Sequence, residues 1–306
     1  MDKWPNEVIH LVELALAEDT GSGDITTQAI FTGKEKGTAR LIAKESGVLC
    51  GLKLADLVMR QTTIPSAQIT DGTALSGLPG EGYGPVAFEA FRKDGDFIKE
   101  GETLARWSGA LPSILLAERT MLNFLQRMSG IATRTRQYAE ALQGTGTKIL
   151  DTRKTAPGHR YLDKMAVRCG GGTNHRMCLD DRFLIKENHI RMAGGVKSAI
   201  ERCHEYRKKK NLPAKIEIEV TSLHELEQVL LCEGVDYIML DNMDTDLMRK
   251  AVALVAGRCY TEASGNVIYE RLPEIARTGV DYISSGALTH SVKALDMTLL
   301  IESDTG

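Results

Sequence analysis

Four short apolar runs, beginning at Ile216, Tyr237, Cys259 and Tyr282, recur about 22 residues apart, each followed by a stretch of helical periodicity. That interval is the length of one strand, one crossover helix and two loops, so each repeat reads as a βα unit. Runs at 148–150 and 183–185 extend the series toward the N-terminus. Serial units of this size, with strands apolar enough to be covered on both faces, predict a parallel α/β barrel. A doubly wound open sheet is the alternative, but no Gly-x-Gly-x-x-Gly turn joins a strand to a helix.

Upstream of residue 112 the rhythm differs. β-like runs at 38–43, 47–50, 86–92 and 103–107 alternate with turn signals, and glycines punctuate Gly77-Leu-Pro-Gly-Glu-Gly-Tyr-Gly84. The stretch 93–104 is similar to the turn-rich strands of lipoyl-type sandwiches. It lacks the lysine at a hairpin tip that a swinging arm requires. A smaller N-terminal α/β sandwich over 1–114 is therefore expected, entered by an amphipathic helix at Pro5 and joined by a C-terminal helix over 289–306. The barrel domain then spans 115–288. A long helix from 112 to 143 leads into it, with Leu115, Leu122, Leu125 and Met128 at helical spacing.

Composition narrows the function. A chain of 306 residues, 42% hydrophobic, can bury one large core and one small one. A net charge of -3 argues against a nucleic-acid partner, so anion binding must come from a local basic cluster. No run of about 18 apolar residues is present, so no membrane partner is expected. Acidic residues within the first helix speak against a secretory signal. Cys50, Cys169, Cys178, Cys203, Cys232 and Cys259 contain no pair at the two-residue separation of a zinc or redox site. They read as reduced thiols of a cytoplasmic protein, and His175 does not turn Cys169 and Cys178 into a metal site.

In a parallel barrel the reactive side chains stand at the C-terminal ends of the strands. The first strand ends in Asp151-Thr-Arg-Lys-Thr155 and the second in Lys186; the third carries Glu219. The fourth ends in Asp241-Asn242, the fifth in Glu262-Ala-Ser-Gly265 and the last in Ser284-Ser-Gly286. Early strands bring cations; later ones bring carboxylates and small turns. That polarity suits a substrate with carboxylates at one end and a phosphosugar at the other. Arg153, Lys154, Arg176 and Lys186 can neutralise anions, each charge-assisted contact being worth roughly 1.5–3 kcal/mol. Glu219 and Asp241 can accept from ribose hydroxyls or hold magnesium through water. Ser264-Gly265-Asn266 and Ser285-Gly286 are each expected before a helix, where backbone N–H groups can receive a phosphate. His189, His204 and the run Arg207-Lys-Lys-Lys210 read as structural or solvated surface.

Read in order, these segments resemble the quinolinate phosphoribosyltransferase family. The motifs are Glu118-Arg-Thr-Met-Leu-Asn-Phe-Leu125, Asp151-Thr-Arg-Lys-Thr155, Arg168-Cys-Gly-Gly-Gly-Thr-Asn-His-Arg176 and Leu184-Ile-Lys-Glu-Asn-His189. Glu217-Ile-Glu-Val220, Met239-Leu-Asp-Asn242, Glu262-Ala-Ser-Gly-Asn266 and Ser285-Gly-Ala-Leu-Thr-His290 complete them, with a weaker match at Gly23-Asp-Ile-Thr26. The resemblance implies an incomplete α/β barrel beside an N-terminal sandwich, in homodimers or assemblies of dimers that share active sites. It implies Arg119 lent across the interface to quinolinate, with Arg153, His175, Arg176 and Lys186 completing that pocket. Lys154, Glu219, Asp241, Ser264, Gly265, Asn266, Ser285 and Gly286 would hold phosphoribosyl pyrophosphate, with His290 near its phosphate and Mg2+ on the pyrophosphate. Lys154, Lys186, Glu219 and Asp241 are the expected catalytic groups. Ala156, His159, Met177 and Cys178 depart from the commoner residues in loops beside these motifs. A relative associated with molybdate transport shares the fold, but Asn174-His-Arg176 and Lys186-Glu-Asn-His189 favour the pyridine enzyme.

The expected reaction is phosphoribosyl transfer to quinolinate with decarboxylation, giving nicotinate mononucleotide, pyrophosphate and CO2. Three rival readings remain. They are a Schiff-base aldolase built on Lys186, a phosphosugar-binding module without catalysis, and the same transferase acting on nicotinate.

Overall fold

The computed structural model describes residues 4–63 and 83–303; of the glycine-rich stretch, 77–82 lies outside them. In chain order the elements are α1 (Asn6–Thr20), α2 (Ile25–Ile30), β1 (Lys36–Ala43), β2 (Gly47–Val48), α3 (Leu52–Gln61), β3 (Val86–Ala90), β4 (Phe97–Ile98) and β5 (Thr103–Ala110). The long α4 (Leu111–Ala141) follows, then β6 (Lys148–Leu150), α5 (Arg160–Cys169), β7 (Arg182–Ile185), α6 (Glu187–Ala193), α7 (Val196–Lys210), β8 (Lys215–Val220) and α8 (Leu223–Leu230). The chain ends its described part with β9 (Tyr237–Asp241), α9 (Thr245–Val255), β10 (Tyr260–Ser264), α10 (Leu272–Ala276), β11 (Tyr282–Ser284) and β12 (Met297–Ser303). No helix among the described residues is long and apolar enough to cross a membrane.

Two compact units result: 1–134 with 157–170 and 292–306, and 135–156 with 171–291. The first holds a four-stranded antiparallel sheet in the order β12-β1-β5-β3 and the small pair β2-β4. β1 alternates, with Ala39, Leu41 and Ala43 fully buried, as a strand with one covered face should. Trp107 of β5 is fully buried and stacks on Phe88 at 5.1 Å between ring centroids. α5 follows β6 in sequence but groups with this first unit.

The segment 289–306 corrects one expectation. It holds a strand, not a helix. Met297 and Leu299 are buried while Leu300 is exposed, which is a period of two. β12 pairs with β1 along its whole length, from Gly37↔Ser303 to Ala43↔Met297. The open edge of β1 offers backbone partners to alternate residues of the segment and a covered face to Met297 and Leu299, which outweighs the helix preference of leucine and methionine.

In the second unit six parallel strands run in the order β6-β11-β10-β9-β8-β7. Its first strand, β6, sits beside its last, β11, through Tyr282↔Lys148 and Ser284↔Leu150. A doubly wound sheet reverses its strand order at a switch point. Here the order is cyclic instead, and the sheet is an incomplete barrel with β6 and β7 as its edges. β8, β9 and β10 are buried over most of their length, as helix-covered parallel strands must be.

Two repeated devices close the N-terminal end of this barrel. Asp236, just before β9, accepts the Ile216 N–H at 2.8 Å, and Asp281, just before β11, accepts the Thr261 N–H at 2.7 Å. Tyr237, Tyr260 and Tyr282 open three adjacent strands and pack together at 5.2–6.1 Å between ring centroids. The guanidinium of Arg182 lies 4.2 Å from the centre of the Tyr237 ring. Helix starts follow their sequence signals too. Ser222 Oγ accepts the Glu225 N–H, and Glu225 Oε2 reaches back to the Thr221 N–H at 2.7 Å.

Gly130 stands in the middle of α4, where alanine would ordinarily favour a helix by about 1 kcal/mol. A Cβ there would lie 2.1 Å from the Lys293 carbonyl oxygen. Close approach of the segment leading to β12 is what requires the glycine. Gly130→Ala should therefore destabilise the protein by about 1–3 kcal/mol, opposite in sign to its effect on helix propensity. Urea denaturation of both proteins measures this, and a more stable alanine variant would contradict it.

Candidate active site

The strand ends of the second unit open into a cavity of about 560 Å³. β6 delivers Thr152, Arg153 and Lys154 from its C-terminal end, and the loop before β7 brings His175 and Arg176. Lys186 follows β7. Glu219 stands on β8, and Asp241 with Asn242 closes β9. Glu262, Ser264, Gly265 and Asn266 come from β10 and its turn, and Ser284 from β11. Ten of the residues singled out in the sequence thus share one cavity: Arg153, Lys154, His175, Arg176, Lys186, Glu219, Asp241, Ser264, Gly265 and Asn266.

Four others lie outside its lining. Gly286 packs so tightly that a Cβ would come within 2.8 Å of Lys154 Cδ and 2.9 Å of His290 Cδ2, which sets both beside Lys154. Ser285 is buried and donates its backbone N–H to the Leu150 carbonyl at 3.0 Å. Arg119 is exposed on α4, in the first unit.

The cationic side is assembled under strain. Arg176 is buried, and Nη1 donates to the Arg182 carbonyl at 3.1 Å. Burial pulls its pKa down from the usual arginine value, and the charge of Arg153 pulls it down further. Glu217 and Asp181 pull the other way without cancelling the shift, and two guanidiniums at one cavity suit an anionic ligand. Lys186, by contrast, has a partner. Its Nζ stands 2.9 Å from Glu219 Oε2, with the lysine side chain 49% exposed and the glutamate 15%. A half-exposed, ion-paired amine lacks the apolar surroundings that activate a Schiff-base lysine.

Beneath the cavity lies an acid pair whose meeting the strand-end pattern did not reveal. Glu217 and Glu262 are fully buried. Arg182 Nη1 reaches Glu217 Oε2 at 3.1 Å, and His175 Nε2 stands 3.1 Å from the same oxygen and 3.6 Å from Glu262 Oε2. The Arg176 N–H donates to His175 Nδ1 at 2.8 Å, which leaves the ring proton on Nε2, facing the acids. The His175 N–H is itself anchored on Asp151, 2.8 Å away and fully buried. Nδ1 of His175 is thereby occupied, while Nε2 faces the two acids without a well-formed hydrogen bond among the described residues, and the side chain lines the cavity. It cannot serve as a metal ligand through Nε2 in this tautomer, although His175, Glu217 and Glu262 are close enough to enclose an ion.

The surroundings drive the acidities of the two glutamates apart. Burial raises the Glu217 carboxyl, but His175 and Arg182 outweigh it and hold it below its usual value. Burial pushes Glu262 well above its usual value, and the neighbouring charge of Glu217 pushes it the same way. The two carboxyls are thus driven in opposite directions, Glu262 toward its neutral form and Glu217 toward its anion. The signal for this pair was in the sequence as an i, i+2 spacing: Glu217 with Glu219, and Glu262 with Ser264, share the inward side of their strands.

Small turns line the remaining wall. Asn242, Gly265 and Asn266 take left-handed backbone angles, with φ of 55°, 84° and 46°. A Cβ on residue 265 would lie 2.2 Å from Asn242 Oδ1, and Asn266 Nδ2 donates to that same oxygen at 3.0 Å. The turns after β9 and β10 are thereby locked together. Neither Ser264-Gly265-Asn266 nor Ser285-Gly286 runs straight into an α-helix; single 3-10 turns at Tyr269–Arg271 and Gly286–Leu288 follow instead. Any phosphate held there is bound by backbone N–H groups in turns, with little help from a helix dipole. His189 proves structural, its Nδ1 accepting the Lys186 N–H at 3.0 Å, and so does His204, whose Nε2 lies 2.9 Å from the Glu233 carbonyl.

Comparison with known proteins agrees with this architecture. The C-terminal domain model of quinolinate phosphoribosyl transferase matches residues 131–300, and its N-terminal domain model matches 24–78 and 83–129. The chain is 43% identical to the chloroplastic nicotinate-nucleotide pyrophosphorylase [carboxylating] of Arabidopsis thaliana, over 96% of this chain and 82% of the plant protein. It is 40% identical to the mitochondrial quinolinate phosphoribosyltransferase [decarboxylating] 2b of Nicotiana tabacum, with the same coverage. Among solved structures, NadC from Streptococcus pyogenes superposes with a TM-score of 0.86 at 37% identity, covering 99% of both chains. The nicotinate-nucleotide pyrophosphorylase from Francisella tularensis gives 0.85 at 38% identity, covering 98% of both.

The raised Glu262 carboxyl gives a signed prediction. A folded-state pKa above the unfolded value contributes stability at low pH that is lost as pH rises from the unfolded pKa toward the folded one. Glu262→Gln keeps a neutral side chain and removes that loss. The variant should gain on the wild type by up to about 1.4 kcal/mol per pH unit above about pH 4.5. Urea melts between pH 5 and 8 measure the difference, and parallel stability curves would mean that Glu262 is ionised in the folded protein.

Proposed function

The chain belongs to the quinolinate phosphoribosyltransferase family, and on that footing we infer that it transfers ribose 5-phosphate from phosphoribosyl pyrophosphate to quinolinate. The products are nicotinate mononucleotide, pyrophosphate and CO2. One observation supports this above the others. Arg153, Lys154, Arg176 and Lys186 line the same cavity as the carboxylates of Glu219 and Asp241. Cations for a dicarboxylate and acids for a sugar are thus held within one substrate's reach.

Arg153, His175 and Arg176 hold the quinolinate carboxylates, joined by Lys186 once its pair with Glu219 opens. That grip points the pyridine nitrogen at the anomeric carbon. Glu219 and Asp241 accept from the ribose hydroxyls and offset the positive charge that grows on the sugar. Lys154, the turn at Ser264-Gly265-Asn266, and the Ser285-Gly286 and His290 cluster beside Lys154 hold the phosphoryl end. The nitrogen–carbon bond forms as the carbon–oxygen bond to pyrophosphate breaks. The ring nitrogen is then cationic, so it stabilises the electron pair left on the adjacent carbon as CO2 departs, and that carbon takes up one proton. Positioning and preorganised charge account for the catalysis; no covalent adduct with the protein is required.

The donor set fits magnesium. Glu219 and Asp241 are hard oxygen donors on neighbouring strands, suited to holding the ion through water. When bound, it offsets the charge of the departing pyrophosphate. We assign the working form as a homodimer, or an assembly of dimers, in which Arg119 on the exposed face of α4 completes the quinolinate pocket of the neighbouring subunit. Six free cysteines suit a reducing compartment such as the cytoplasm.

Purified protein incubated with quinolinate, phosphoribosyl pyrophosphate and magnesium should release CO2 and nicotinate mononucleotide in equal amounts. Nicotinate should be a poor acceptor, because one carboxylate cannot engage both arginines; equal use of the two acids would overturn the dicarboxylate assignment. Arg153→Ala should lower kcat/KM for quinolinate about 100-fold or more, as expected for losing one preorganised charge contact. Unaltered kinetics would remove Arg153 from the site. Mixed subunits of inactive Arg119→Ala and inactive Lys186→Ala should recover part of the activity, whereas no recovery after proven subunit exchange would rule out a shared site.

A further inference from the structure

In the first unit, three side chains from distant parts of the chain meet at a point that phosphoribosyl transfer does not use. Cys50 lies between β2 and α3, Asp94 in the turn before β4, and Cys169 is the last residue of α5. One atom of each, two thiol sulfurs and a carboxylate oxygen, lie within 4.8 Å of one another. Cys50 is fully buried, and neither cysteine is in a disulfide.

The three groups are held from behind. The Cys50 N–H donates to Ser129 Oγ at 2.9 Å, and that hydroxyl donates back to the Cys50 carbonyl at 3.1 Å. Asp94 Oδ1 accepts the N–H groups of Gly51 and Leu52 at 2.9 and 3.0 Å. Its second oxygen, Oδ2, is buried without a hydrogen-bond partner among the described residues. A buried carboxylate oxygen with no donor is costly unless a cation meets it. A disulfide between the thiols would leave that oxygen as it stands; a bound cation satisfies all three groups.

We propose that Cys50, Cys169 and Asp94 form a structural site for a thiophilic divalent cation, Zn2+ by its preference for mixed thiolate and carboxylate donors, with water as the fourth ligand. Zinc binds such sets tetrahedrally, and the partly exposed Cys169 leaves room for solvent at the fourth position. On binding, the two thiols release their protons to solvent as two zinc–sulfur bonds form. Two thiolates, a carboxylate and a dication leave a single negative charge, and the Arg168 guanidinium acts on both sulfurs with the sign that offsets it. The site ties α5 to the β2–α3 junction within the first unit. It is independent of the reaction assigned above.

The full chain, stripped with a chelator under reductant, should take up one zinc per chain and keep it through gel filtration. Zinc should shield two thiols from a thiol reagent and raise Tm with its free concentration. Cobalt in its place should show thiolate-to-metal charge-transfer absorption. Cys169→Ser carries the test, because Cys50 lies in the core. It should weaken zinc binding at least about 100-fold, and Asp94→Asn about 10-fold or more, since even supporting residues around a metal matter on that scale. Cys178→Ser, on an exposed cysteine, should bind as the wild type does. Unchanged affinity in Cys169→Ser, cobalt spectra without thiolate bands, or a Cys50–Cys169 disulfide in the isolated protein would each overturn the assignment.

Discussion

The pairing of β6 with β11 is the contact on which the rest of the second unit depends. A parallel ladder that runs β7 to β11 and then takes β6 as its last neighbour has to curl, because consecutive strands are joined by crossovers of one hand. Curling gathers strand ends that are far apart in sequence. Arg153 and Asp241 come to share a cavity through this geometry alone, with no direct bond between them. The tyrosines and the aspartate latches at the opposite end fix where each strand begins, and so fix how far its reactive end projects.

The same curling creates an electrostatic problem that the site exploits. Inward-facing positions lower in the barrel are cut off from water, yet Glu217 and Glu262 occupy them. Arg182 and His175 favour the anion of Glu217, whereas burial and the Glu217 charge favour the protonated form of Glu262. Glu217 faces Arg182 and also acts on Arg176, yet burial and the charge of Arg153 still hold the Arg176 guanidinium below its usual pKa. Arg153 and Arg176 are left to repel each other across the opening. An anionic ligand at this opening would relieve that repulsion more fully than water.

Much of this was legible in the residue pattern. The interval of about 22 residues revealed the βα units, and the strand-end position of Arg153, Lys186, Glu219 and Asp241 revealed one shared cavity. Other features were hidden for identifiable reasons. Glu262 stood among the strand-end residues and Glu217 within a motif, but their pairing comes from burial between strands that are remote in sequence. The strand at 297–303 carries leucines and a methionine that suit a helix equally well, and only the free edge of β1 decides the matter. The meeting of Cys50 with Cys169 has no local spacing to betray it. Loop detail was also out of reach: the helix expected after β10 begins as a 3-10 turn that runs into α10, and the one after β11 is a single 3-10 turn.

β12 lies against β1 although every strand of the barrel is synthesised between them. On the ribosome, the antiparallel sheet of the first unit stays one strand short throughout that interval, with β1 presenting a bare edge. A nascent chain in this condition relies on the intervening unit folding promptly, or on a chaperone, to keep the edge from pairing elsewhere. The first sheet to begin is the last to be finished.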